Sequence, residues 1–259
     1  MRIFATAILA CAALPALFAD DNAASQKGCV VLACKSEAQF ENVELEQVGQ
    51  LQAARPDGMR VHGDGDQSAT LFFSNGLAIY ATDGFDFGVD TFSQMPFEPS
   101  LKDRDFEPSR SSMHMTLNSG CYGIWRTPAR ATSDFVLQTP LARLRIESNA
   151  LALWVSQEKI AVYLADGVAY LEIPGSGFKE TLQMGQYVVL QKSALSSPYP
   201  LKIERATAVE KTTADGWIER ARWAYSRIHF EKDDSGKLFP RVYLPKGHFL
   251  QRSVGSPNL

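Results

Sequence analysis

The sequence predicts an all-β fold: an antiparallel, hairpin-rich sandwich or roll with one C-terminal α-helix packed on it. Three observations lead there. Short apolar runs recur along the 259 residues, punctuated by thirteen prolines and eighteen glycines, the pattern of many short strands joined by turns. Asp-Gly and Asn-Gly dipeptides stand between alternating runs, where a two-residue hairpin turn needs positive φ at both central positions. Helical spacing is convincing in one segment alone, from Ala214 to Phe230.

Asp134 to Leu190 is the best-patterned stretch, and Asp166-Gly167 lies at its centre. If that dipeptide closes a hairpin, Leu164 faces Ala169, Val162 faces Leu171 and Ile160 faces Ile173, all on one apolar face. The opposite face then pairs Ala165 with Val168, Tyr163 with Tyr170 and Ala161 with Glu172. A slip of one residue would destroy that sorting. The Tyr163–Tyr170 face is itself too apolar to stand bare. The helix carrying Trp217, Ala221, Tyr225 and Ile228 is the expected cover.

Earlier in the chain, Cys29 to Cys34 reads as a strand, and further strands are expected around Val43–Leu45 and Val48–Leu51. Gly63-Asp64-Gly65-Asp66 reads as a glycine-rich turn, since the other ligand spacings of a calcium loop do not follow. Ser68 to Phe73 and Leu77 to Ala81 form a hairpin about Asn75-Gly76, and Phe85 to Phe92 alternates aromatic and small residues. Ser100 to Ser112 is charged without periodicity, which reads as a solvated surface loop. A strand pair is expected around Asn118-Ser119-Gly120. After the helix come a polar turn at Lys232–Lys237 and a last strand at Leu238–Leu244.

The first nineteen residues read as a secretory signal peptide: Met1-Arg2, an apolar run to Phe18, and Ala19 before Asp20-Asp21. An uncleaved anchor is the weaker alternative, because the run is shorter than the ~20 residues a spanning helix needs. A lipoprotein reading at Cys11 would leave an unusually short apolar region. The expected divisions are the signal peptide at 1–19, a leader and first strand at 20–35, a β domain at 36–195, and a C-terminal extension at 196–259. Location is expected to be periplasmic or extracellular, with no membrane span after signal removal.

Export leaves Cys29, Cys34 and Cys121 in an oxidising compartment. On one strand Cys29 and Cys34 would lie ~16 Å apart and cannot bond each other. A Cys34–Cys121 disulfide, or one from Cys29, stands beside the alternative of three buried thiols. The formal charge of −3 gives no reason to expect a nucleic-acid partner.

No nucleophile elbow, zinc helix, phosphate loop or dinucleotide fingerprint occurs. No cofactor is expected, nor catalysis: His62, His114, His229 and His248 are scattered, and Asp103 and Asp105 sit in the charged segment. The candidate contact residues are Tyr163, Tyr170 and Trp223, the last lying off the helix's apolar stripe.

Ser68 to Tyr80 (SATLFFSNGLAIY) and Asp134 to Leu190 together resemble the FecR domain, named after the periplasmic regulator of ferric-citrate transport. The matching residues are Phe135-Val136-Leu137-Gln138-Thr139-Pro140, Asp166-Gly167-Val168 and Gly185-Gln186. The family's Gly-Thr between the middle strands is replaced by Ser148-Asn149-Ala150. The resemblance covers roughly half the chain and concerns scaffold residues. It implies an envelope-signalling role, although no helical domain precedes the apolar run and no second apolar span follows. A free-standing exported module is therefore expected, non-catalytic, binding another envelope protein or a surface polysaccharide. A carbohydrate-binding accessory protein of the cell surface is the alternative.

Overall fold

The protein is described by a computed structural model covering residues 26–32, 38–48, 51–100, 105–130, 133–197, 200–234 and 236–242. The strands of the first half are β1 (Gln26–Lys27), β2 (Val30–Leu32), β3 (Gln39–Glu41), β4 (Glu46–Val48), β5 (Leu51–Ala54), β6 (Arg60–His62) and β7 (Ser68–Phe73). Two long strands follow, β8 (Leu77–Gln94) and β9 (Ser111–Arg126). Next come β10 (Asp134–Gln138), β11 (Arg143–Ile146), β12 (Ala150–Val155), β13 (Lys159–Asp166), β14 (Val168–Glu172), β15 (Lys179–Gln183), β16 (Gln186–Gln191) and β17 (Leu201–Arg205). Helix α1 (Ala208–Arg227) precedes the hairpin of β18 (Ile228–Lys232) and β19 (Leu238–Val242).

The all-β expectation with one helix near the C-terminus holds, and the first seventeen strands form one continuous sheet. That sheet folds back on itself because β8 and β9 bend together. Asp83 and Gly84 take φ of 60° and 65°, Gly120 takes φ of 110°, and the register shifts between Thr82↔Cys121 and Asp86↔Ser119. A Cβ on Gly120 would lie 2.5 Å from the Cα of Phe85, so only glycine fits this crossing. The first halves of the ladder belong to layer A, in the order β4-β5-β2-β7-β8-β9-β12-β13-β16-β17, antiparallel throughout. The other halves belong to layer B, in the order β3-β6-β8-β9-β10-β11-β14-β15, where β9 and β10 run parallel. Between the layers lies one core that includes Leu71, Ile79, Phe87, Met115, Leu153, Val162 and Leu171.

The hairpin at Asn75-Gly76 forms as expected, with Phe72 opposite Ala78 and Gly76 at φ 85°. The one expected at Asp166-Gly167 does not. β13 pairs with β12 and β16, whereas β14 pairs with β11 and β15. Gly167 (φ 82°) is instead a corner at which the chain leaves layer A for layer B, and a Cβ there would lie 2.5 Å from the Cα of Ser148. A glycine with positive φ serves a corner as well as a turn. The side-chain sorting survives the error: Ile160, Val162, Leu164, Ala169, Leu171 and Ile173 all enter the central core.

Other expectations are corrected in the same terms. Asn118-Ser119-Gly120 lies inside β9 as an irregularity and joins no strand pair. Val43–Leu45 falls between β3 and β4, and β5 begins at Leu51. The charged segment is not wholly solvated, for Glu107 is buried. Its carboxylate accepts bonds from Ser111 Oγ at 2.5 Å and Arg130 N at 3.0 Å, and Ser111 Oγ in turn receives Asn75 Nδ2 at 3.0 Å. A buried carboxylate requires such partners, and they lie up to 32 residues away along the chain.

Helix α1 starts earlier than its apolar spacing suggests, because Thr207 and Glu210 cap it reciprocally. Glu210 N donates to Thr207 Oγ1 at 3.3 Å, and Thr207 N donates to Glu210 Oε2 at 2.8 Å. Donation to Oε2 from Thr207 N, and from Thr207 Oγ1 at 2.8 Å, holds the Glu210 carboxyl below its ordinary range. Its buried line is Ala214, Ile218, Ala221 and Ala224, mostly small residues that let the helix lie close on the outer face of layer A. Trp217 and Tyr225 flank that line, packing on Trp154 and Trp125 respectively. The closest approach is at Gly123 of β9, where a Cβ would come 2.2 Å from the Trp217 carbonyl carbon and 2.6 Å from Ile218 N.

Gly123→Ala is accordingly expected to lower stability by ~1–3 kcal/mol, the usual cost of overpacking a well-filled site. Gly216→Ala, in the same helix but with no atom within 4 Å of the added methyl, should raise it by up to about 1 kcal/mol. Denaturant midpoints of the two variants check this contrast.

Candidate binding groove

Among the described residues no helix lies over the outer face of layer B, and the outward residues of its strands are mostly polar. Register fixes which of them are neighbours. Val136, Arg145, Tyr170 and Thr181 form one row across β10, β11, β14 and β15, and Gln138, Arg143, Glu172 and Lys179 form the next. All of these but Gln138 line a shallow groove of about 690 Å³.

Ion pairs order the charges along it. Asp134 receives Arg145 Nε at 3.2 Å and His114 Nε2 at 3.4 Å. Arg145 Nη2 reaches Glu147 at 3.8 Å, and Glu147 Oε2 accepts the Tyr170 hydroxyl at 3.3 Å. Lys179 lies 3.7 Å from Glu172. Exposed pairs of this kind contribute little to stability; they set side chains of both signs beside one another across the strands. Arg143 makes no ion pair among the described residues, leaving its planar donor fork available to a carboxylate or phosphate. Tyr170 is 41 % exposed and supplies the groove's aromatic surface. Fixed charges, one open guanidinium and an aromatic ring suit the docking of a polar partner.

The residues singled out from sequence do not converge. Tyr163, 5 % exposed, lies on the outer face of layer A beneath α1, in a cluster with Ala214 and Ile218. Burial and the nearby Asp215 carboxylate raise its phenol's pKa. Thus the expected helix cover is present over Tyr163 and absent over Tyr170, which are not cross-strand partners. Trp223 is 47 % exposed on the far side of α1, with the Arg227 guanidinium 5.9 Å from its ring. Trp154 is half-buried against Trp217 and Tyr187.

Cys34 lies outside the described residues, and Cys29 and Cys121 are not bonded to each other. Burial, with Asp83 beside it, pushes the Cys121 thiol up to about 12, so it stays protonated at neutral pH. Gly63-Asp64-Gly65-Asp66 forms a turn, with Gln67 N donating to Asp64 O at 3.0 Å. Among the described residues no group of three or more His, Cys, Asp or Glu side chains is placed to hold a metal ion. No helix among them is long and apolar enough to cross a membrane.

Sequence reasoning named Tyr170 but missed Arg143, Arg145 and Glu147 around it. Their signal was the alternation Arg143-Leu144-Arg145-Ile146-Glu147, a strand with one charged face.

No protein-family model matches the chain, and no curated protein matches it. Among solved structures, two crystal structures of a protein from Parabacteroides distasonis described as a putative anti-sigma factor are similar to it. They share 10 % and 12 % identity, each with a TM-score of 0.42, covering 59 % of this chain and 62 % of the other. The chain thus spans less than two thirds of their length, and the likeness is too distant to transfer a residue role or an activity.

The placement of the two tyrosines is testable by stability alone. Tyr170→Ala should change it by no more than about 0.5 kcal/mol, as for an exposed site. Tyr163→Ala should cost ~3–5 kcal/mol, as for a large buried ring. Equal losses in denaturant melts would contradict the assignment.

Proposed function

We propose that this chain is an exported, non-catalytic binding module of the FecR type, which serves envelope signalling by docking another envelope protein on the outer face of layer B. The observation that carries the reading is the ordered groove around Tyr170. It presents a fixed ladder of both charge signs, with the Arg143 guanidinium open to an anionic group of the partner. Complementary charges steer and orient a protein partner, and a ring at the centre supplies the apolar contact that holds it. The sequence supports export through its first nineteen residues, and FecR character through the segments around Phe135–Pro140 and Gly185-Gln186.

Tyr170 also favours a second reading, a surface polysaccharide stacked on its ring. Photo-crosslinking decides between them. A photoreactive residue at Thr181, which pairs with Tyr170 across β14 and β15, is introduced into the full chain in its native envelope. The proposal expects a discrete crosslinked band containing a second envelope protein, lost in Arg143→Glu. A polysaccharide smear lost in Tyr170→Ala, with Arg143→Glu unaffected, would support the second reading. No crosslink from a chain shown to be exported would contradict both.

A further inference from the structure

One terminal strand of layer A offers an interaction surface separate from the groove. β17 is hydrogen-bonded to β16 on one side and to no strand among the described residues on the other. Such an edge leaves alternate backbone N–H and C=O groups facing outward, a template for one more strand. Its sequence is Leu201-Lys202-Ile203-Glu204-Arg205. The register against β16 sets Ile203 beside Val188, toward the inter-layer core, and Lys202 and Glu204 beside Val189 and Tyr187, toward the helix side.

One apolar side chain of this strand is open to solvent. Ile203 is 44 % exposed. Met184, two residues before the Gln186 that pairs with Arg205, is exposed, and so is Val209, in the first turn of α1 four residues after Arg205. The strand and the segments beside it in sequence thus leave three apolar side chains exposed.

We infer that β17 is the edge through which two copies of this chain pair, antiparallel about a two-fold axis at Ile203, joining two A layers into one sheet. The charges select the partner. Hydrogen bonding between antiparallel edges admits two-fold registers centred on successive residues. Centring on Lys202 sets lysine opposite lysine, and centring on Glu204 sets glutamate opposite glutamate, both unfavourable. Centring on Ile203 sets each Lys202 opposite the other copy's Glu204, Leu201 opposite Arg205, and the two isoleucines against each other. A strand that complements itself under two-fold rotation is what an isologous interface requires. Within one chain Lys202 and Glu204 already pair with each other, so dimerisation exchanges the two intrachain pairs for two between copies.

Sedimentation velocity of the full mature chain over a concentration series tests this, with circular dichroism confirming that each variant is folded. The wild type is expected to dimerise. Lys202→Glu alone and Glu204→Lys alone each bring like charges together, and should be monomeric at concentrations where the wild type is dimeric. The double variant K202E/E204K restores opposite charges in reversed order and should dimerise again. A wild type monomeric throughout the series overturns the inference. So does a dimer that survives both single changes, or a folded double variant that stays monomeric. Because none of these residues lies in the Tyr170 groove, crosslinking at Thr181 remains an independent readout of the proposed function.

Discussion

Everything in this structure depends on the bend that β8 and β9 make together. Strands of eighteen and sixteen residues would, if straight, extend for about 60 Å and 50 Å and leave both faces to water. The bend converts one ladder into two layers that bury each other's inner faces. It is made where Gly120 passes against the backbone of Phe85, with the Tyr122 hydroxyl bonded back to Asp86 O at 3.0 Å. Later strands are recruited onto whichever half of the bent pair they reach. β12 joins the second half of β9 and β10 the first, and the corners at 147–149, 167 and 184–185 carry the chain between layers.

The helix then makes the two layers unlike. Layer A is apolar on both faces, its inner face meeting layer B and its outer face meeting α1 across Gly123, Ala152, Ala161 and Tyr163. Layer B alternates apolar inward and polar outward, as a sheet with one wet face must. The groove lies on the face that no helix covers among the described residues. Conversely, α1 leaves the β17 edge open, so the two proposed contacts, one with a partner protein and one with a second copy, fall on different layers.

Much of this was legible in the sequence where the signal was local. The Asn75-Gly76 hairpin, the inward and outward sorting along 159–173, and the helix near the C-terminus all follow from patterns a few residues long. What escaped required knowledge of distant partners. Asp166-Gly167 has the chemistry of a hairpin turn, and only the demand of β13 for neighbours on both sides makes it a corner. Glu107 reads as solvated until Asn75, Ser111 and Arg130 are brought to it. Thr207 and Glu210 carry a local capping signal, but it lies a full turn or more before the apolar spacing begins at Ala214. Tyr170 was identified as a contact residue by pairing it with Tyr163, a pairing the fold does not make; its exposure comes from lying on the uncovered layer.

The claim that one bent strand pair creates both layers has a direct test in native-state hydrogen exchange. Slow amides in β13 and β16 of layer A should open with the same free energy as those in β11 and β14 of layer B, since neither layer exists without the other. Gly120→Ala should lower both values together. Two separate opening energies, or a Gly120→Ala effect confined to one layer, would contradict the account.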